Sequence, residues 1–313
     1  MSNIWLQYLF TATFLKALDD ECTRREVEGE KLGVLNRFLG FMEEAKGQIL
    51  IDIENLKIGE SLRLRKWFKE TDAQFGPYQR PSDSPKNPKE IELEAAANFD
   101  TSFSARLNSN QIDAMMRTVH KPIFNLDLVT SKWDSLAGLN FPLIRGGKRL
   151  SWNDLLSNYV LPSSQILICD PYIANNKVNV DKNLLPILKA CRSISRSKPA
   201  ISLIAREPTN FDLKQHLVKK LGDISDIKII LLPHWDKSYE EHDRRILTDQ
   251  LFINIPSGLD LINSRDYVGA KKSTDIALRS IYSGNQSQLE AIVDTKNRLE
   301  QIIIHHTSEE FQS

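Results

Sequence analysis

The sequence lacks any uninterrupted apolar run near the roughly 20 residues that a membrane-spanning helix needs, which leaves no transmembrane segment to place. Cysteine is scarce: Cys22, Cys169 and Cys191 are an odd number with no C-x-x-C pair, so neither a disulfide framework nor a thiolate zinc site is expected. A reducing, cytoplasmic setting fits that usage. Excess charge is also missing. Lys and Arg total 41 against 41 Asp and Glu, and the balance is local, with 21 of each sign in residues 1–150 and 20 of each in 151–313. This argues against a polybasic coat that binds DNA or anionic lipid by bulk electrostatics, so any phosphate handling must be local. No phosphate-binding glycine loop is present, because Arg145-Gly-Gly-Lys148 does not have the G-x4-G-K-S/T spacing. His305-His306 lies at a helix end near the C-terminus with no cysteine beside it, and neither metal nor cofactor is expected.

What remains is a globular composition, 41% hydrophobic over 313 residues, enough for one large or two ordinary cores. The apolar opening, Ile4 to Leu15, lacks a basic leader and a small-x-small cleavage site, and reads as a buried first element. Leu32, Val34, Leu35, Phe38, Leu39 and Met42 recur at helical spacing, and Gln48 to Ile53 alternates as a strand does. From Phe75 to Lys89 a polar stretch with Pro77, Pro81, Pro85 and Pro88 reads as a linker or exposed loop. Helical composition returns in Glu90–Asn98 and Ser109–Val119, and Lys121–Leu128 looks extended. Residues 1–135 are thus expected to form a divergent α+β region.

Residues 136–313 are more regular. Apolar runs at Gln165–Ile173, Ala200–Arg206 and Asp226–Leu232 alternate with helical stretches at Lys182–Cys191 and Phe211–Leu221. That succession indicates βαβ units and an α/β domain with a mixed, largely parallel sheet. Arg244 to Ile255 reads as one or two strands with no helix between them, and Gln286 to Ile304 as an amphipathic helix, serving either the core or a dimer seam.

The chemistry concentrates between Glu241 and Gly258, above all in Glu241-His242-Asp243-Arg244-Arg245. In a strand, His242 and Arg244 point to one face, where an imidazole and a fixed cation converge on one anionic group. A neighbouring guanidinium favours a neutral histidine, as a nucleophile at phosphorus requires. Asp249 lies seven residues after His242, an odd offset. Either a bulge or turn intervenes, or this carboxylate acts from behind as an orienting or structural group. His234, in Pro233-His234-Trp235, could approach the same mouth or simply pack. Asp170 ends a strand at the edge where α/β sheets take ligands, and Asp-Pro is equally a turn starter.

The spacing His242-x-Arg244-x4-Asp249-x6-Pro256-Ser257 resembles the signature of the phospholipase D superfamily, H-x-K-x4-D-x6-G-S/T-x-N. Asp170-Pro171-Tyr172 is similar to the turn that ends the first core strand of many bacterial members. The resemblance covers about residues 140 to 265. It implies a sheet sandwiched by helices, with a metal-independent phosphodiesterase, most readily a nuclease, working through a phosphohistidine. By position, His242 is the nucleophile, Arg244 the phosphate-gripping cation, Asp249 the supporting acid and Ser257 the trace of the tail hydroxyl. The family builds one site from two motifs, so a single motif implies a homodimer. Arginine for lysine keeps phosphate binding and removes a proton donor. The H-D-R form also resembles relatives that bind phosphoinositide membranes without known catalysis. Two functions are compatible with it: a homodimeric nuclease, associated by this resemblance with bacterial phage defence, or a module that binds nucleic acid, phospholipid head groups or a protein partner without turnover. The N-terminal region is the candidate for contacting a protein partner. Basic clusters at Arg63–Lys69, Arg145–Arg149 and Arg192–Lys198 read as solvated surface, although the first, around Trp67 and Phe68, has the make-up of a single-strand grip.

Overall fold

The computed structural model describes residues 7–44, 48–51, 61, 63–64, 75–77, 99, 101–108, 110–112, 114, 116, 122–136, 139–143, 151–153, 156, 163–193, 199–232, 244–256, 258–259, 274–283 and 286–310. The chain divides into two compact units, one comprising Met1–Ala137 with Tyr282–Gln286, the other Gly138–Ile281 with Ser287–Ser313.

The first unit carries strands β1 (Gln7–Phe10), β2 (Gln48–Ile51), β3 (Phe75–Pro77), β4 (Thr101–Phe103) and β5 (Ile123–Phe124) in the order β3-β2-β1-β4-β5. Every pairing in it is parallel. This corrects the α+β expectation: the region is α/β. The strands are two to four residues long, too short for their apolar runs to disclose direction. Phe75–Pro77, expected to open a linker, instead forms the edge strand β3; Pro77 is tolerated at an edge because it owes no second ladder bond. The remainder of that expected loop, and Glu90–Asn98, lie outside the described residues.

Helix α1 (Ala12–Val27) follows β1 directly, with Thr11 capping it by accepting the Phe14 N–H at 3.3 Å. Helices α2 (Val34–Glu44) and α3 (Leu126–Leu136) bring Phe38, Phe41 and Trp133 to Phe10, Phe14, Phe103 and Phe124. Phe10 and Phe103 stack at 4.5 Å, and Phe38 meets Trp133 edge-on at 4.7 Å. Tyr282 closes the cluster against Trp133 and shares a 3.0 Å hydrogen bond with Thr101, so its hydroxyl is satisfied inside the core.

The second unit is a seven-stranded sheet, with β6 (Leu139–Leu143), β7 (Gln165–Cys169), β8 (Ala200–Arg206), β9 (Ile227–Leu232), β10 (Arg245–Thr248), β11 (Leu251–Asn254) and β12 (Thr274–Ser280) in the order β6-β12-β11-β10-β7-β8-β9. Only β7-β8 and β8-β9 pair in parallel; the other four pairings are antiparallel. The sheet is mixed but not largely parallel, because the β10–β11 hairpin reverses the chain beside β7 and the sheet continues antiparallel from there.

Both faces are covered. Ile166, Ile168, Ile201, Leu203, Ile246 and Ile253 pack with residues of helices α4 (Leu185–Ser193) and α5 (Leu213–Leu221). Leu167, Cys169, Ile204, Leu247 and Phe252 pack with Ile292, Leu299 and Ile302 of helix α6 (Gln286–Glu310). The α6 stripe therefore serves the core at Ile292 and Leu299. Helix α4 is preceded by a helical turn at Lys177–Asn179 and a π-helical turn at Val180–Leu184. No helix among the described residues is long and apolar enough to cross a membrane.

Phe38 is fully buried among Phe10, Phe14, Phe41, Phe103 and Trp133, so Phe38→Ala should cost about 3–5 kcal/mol. Urea unfolding checks this through the midpoint, and a loss under about 1 kcal/mol would contradict it.

Candidate phosphodiester site at the carboxyl edge of β7

Strand β7 ends in Asp170, whose side chain is only 1% exposed. A buried carboxylate needs donors, and this one takes two backbone N–H groups. One oxygen accepts from Tyr172 at 2.7 Å, which forms the tight Asp170-Pro171-Tyr172 turn. The other accepts from Leu259 at 2.9 Å, so a segment 89 residues away is held against the end of β7. The Asp170 N–H donates to Ile204 O and the Arg206 N–H to Pro171 O, which fixes the turn beside the end of β8.

Arg244 stands just before β10. Arg245 pairs with Cys169 across β10 and β7, so Arg244 lies beside the Asp170 turn. By strand alternation its side chain shares the face of Ile246, and its guanidinium lies over the Tyr172 ring at 5.2 Å. One Nη1 hydrogen donates to Pro256 O at 2.5 Å, and Arg244 O accepts from the Ile255 N–H at 2.9 Å. Its buried Nε has no hydrogen-bond partner among the described residues. Asp170 and Arg244 thus engage the chain after β11 at two points, Leu259 by its amide and Pro256 by its carbonyl. Gly258 sits between these two at φ 107°, a conformation that side chains with a Cβ rarely adopt.

Asp249 is elsewhere. It occupies the two-residue turn between β10 and β11, and its carboxylate accepts from Ser164 N–H at 2.6 Å and Ser164 Oγ at 2.8 Å, just before β7 begins. Five residues of extended chain separate it from Arg244, roughly 17 Å. A turn does intervene, and among the described contacts Asp249 fastens the hairpin to the start of β7. His242, His234 and Ser257 lie outside the described residues.

Three residues that the sequence reading did not select complete the surroundings. Tyr172 is the platform under Arg244. Asn179 Nδ2 donates to Tyr172 O at 3.2 Å, and Asn179 Oδ1 accepts from Asn183 Nδ2 at 3.2 Å. Asn183 is 1% exposed inside the π-helical turn, and its Oδ1 accepts no hydrogen bond among the described residues. The signal was available in the i, i+4 spacing of Asn179 and Asn183 after Asp-Pro-Tyr. Next to them, His216 Nε2 meets Asp181 Oδ1 at 2.8 Å, and Lys220 approaches at 3.4 Å. Burial alone would raise the Asp181 pKa, but the His216 hydrogen bond and the Lys220 charge outweigh it and bring it below its ordinary value.

The basic clusters are spent on structure where they are described. Arg63 pairs with Asp19 and Glu26, and Arg192 with Asp226. No group of three or more His, Cys, Asp or Glu side chains among the described residues is placed to hold a metal ion. A cavity of about 410 Å³ opens after β4 and β5 in the first unit, but its amides are engaged in caps: Asn108 with Gln111, and Asn125 with Leu128 N–H and Leu107 O.

No protein-family model matches the sequence, and no curated protein does. Solved structures with a distant likeness include the following two. NucT from Helicobacter pylori aligns over 53% of this chain and 96% of its own at 11% identity and a TM-score of 0.32. TrmBL2, an archaeal chromatin protein described as showing a novel mode of DNA binding, aligns over 52% of this chain and 51% of its own at 10% identity and a TM-score of 0.29. At these TM-scores neither likeness bears on function.

The two carboxylates differ in what their loss should cost. Asp170→Ala strands two amide donors at a buried position and should destabilise by about 3 kcal/mol or more, whereas Asp249→Ala, at a solvent-accessible turn, should cost about 1 kcal/mol. Paired urea titrations measure both, and equal losses would contradict the assignment.

Proposed function

We propose that the second unit is a phospholipase D-like module that holds a phosphodiester at the carboxyl edge of β7, with Arg244 as its phosphate clamp. The observation that carries this reading is the posture of Arg244. Its guanidinium is fixed by Tyr172 on one face and Pro256 O on one nitrogen, at the end of the sheet where α/β folds take ligands. Only one of its five N–H groups is assigned a partner among the described contacts, and a planar fork with donors in reserve suits a phosphate.

The same posture favours holding over turnover. Cleavage would proceed by attack of a His242 ring nitrogen on phosphorus, giving a phosphohistidine as the bond to the leaving oxygen breaks; water would then release the phosphate and regenerate the imidazole. The leaving oxygen needs a proton, and arginine does not supply one at neutral pH. Turnover therefore requires a second acid, which in a symmetric homodimer is His242 of the other copy. Binding requires only Arg244. A phosphodiester-binding module is the first reading, and a metal-independent nuclease built from two copies is the second, supported by the His242-x-Arg244 spacing.

Calorimetry with bis(p-nitrophenyl) phosphate tests the clamp. Arg244→Ala should weaken binding about tenfold or more, with Arg244→Lys intermediate, and an unaltered affinity would overturn the proposal. Release of p-nitrophenol in excess EDTA, abolished by His242→Ala, would establish the nuclease reading in place of binding alone.

A further inference from the structure

The carboxyl edge of β7 and β8 carries two cation–aromatic pairs. Arg244 lies over Tyr172 at 5.2 Å, and the Lys177 ammonium over Phe211 at 5.8 Å. The pairs come from neighbouring stretches, because Tyr172 and Lys177 both lie between β7 and the helix it leads into, and Phe211 follows β8. Both residues are anchored, Tyr172 through its main chain and Phe211 through its ring. Tyr172 is fixed at its N–H by Asp170 and at its carbonyl by Asn179, yet the residue stays 37% exposed. Phe211 packs against the apolar face of the sheet and meets His216 edge-on at 5.8 Å, with His216 anchored on Asp181.

A rigid, half-open aromatic beside a phosphate-binding arginine has a use if the ligand offers a flat π face close to its phosphate. Nucleotides do. Anionic membranes are recognised through clusters of several Lys and Arg, which the balanced charge of both halves does not favour. In a duplex the base faces are already stacked; in a single strand they are open.

We propose that a single strand of nucleic acid runs along this edge, with Tyr172 stacking a base next to the phosphate held by Arg244 and Lys177 taking a neighbouring phosphate beside Phe211. The proposal rests on the reading of Arg244 as a phosphate clamp and adds the ligand class and the stacking residue.

Fluorescence anisotropy of the full chain with labelled dT12 and U12, the matching duplexes, and phosphatidylcholine vesicles with and without phosphoinositide tests it. The single strands should bind in preference to duplex and vesicle. Tyr172→Ala should weaken them by about tenfold while Tyr172→Phe retains affinity, which separates stacking from a folding defect. The slope of log K against log salt should be about −1.4 for two phosphates and fall to about −0.7 in Lys177→Ala. Preferential duplex or phosphoinositide binding, absence of strand binding, or equal affinity for the Ala and Phe variants would overturn the proposal. If Arg244→Ala weakens bis(p-nitrophenyl) phosphate while Tyr172→Ala leaves the strands unaffected, the clamp stands and the stacking role falls. If Arg244→Ala changes neither, both fall.

Discussion

The carboxylate of Asp170 is the contact on which the carboxyl edge of the second unit depends. A carboxyl group taken out of water is tolerated only when donors replace its hydration, and the Tyr172 and Leu259 N–H groups do so here. One of these bonds is local and sets the turn that presents Tyr172. The other spans 89 residues and brings the chain leaving β11 back to the end of β7. Together with the Ile255 N–H bond to Arg244 O, it positions the segment whose Pro256 O receives the guanidinium. The posture of Arg244 and the presentation of Tyr172 both draw on one buried acid.

Adjacent arginines in this segment have different fates for a geometric reason. Arg245 heads β10 with its side chain on the α6 face, 7% exposed and over Phe252 at 5.3 Å. Arg244, one residue earlier, faces the opposite way and reaches the sheet edge over Tyr172. The period of two in an extended chain separates a packed arginine from one at the sheet edge.

The regular elements of the second unit were legible because its strands and helices are long enough to show their periods. Ala200–Arg206, Leu213–Leu221 and Ile227–Leu232 fall where the apolar patterns place them. Strand direction was legible for β7, β8 and β9, where helices intervene and the pairings are parallel, but not beyond them. Ile-rich runs report burial on both faces, and only the two-residue turn at Asp249-Gln250 reveals that the chain doubles back beside β7. In the first unit, β4 and β5 are three and two residues long, below the length at which alternation can be read. Its parallel sheet therefore escaped notice, even though the aromatic side chains that stabilise it were all visible. Within the site, Asp170 was singled out for its place at a strand end, but its two amide partners depend on tertiary folding that no local pattern encodes.

Asp249 and Arg244 sit at opposite ends of β10. The Asp249 carboxylate ties the hairpin to Ser164 at the start of β7, roughly 17 Å of extended chain from Arg244. Substitution there reaches Arg244 only through the position of β10 relative to β7. The two acids then bracket the β7–β10 pair, Asp249 fixing one end and Asp170 the other. Four residues of β10 paired in register between two such fasteners have little freedom to slide, since a one-residue slip would carry Ile246 and Leu247 to the wrong faces. The placement of Arg244 at the edge follows from that register, and the register follows from the two carboxylates and the apolar alternation between them.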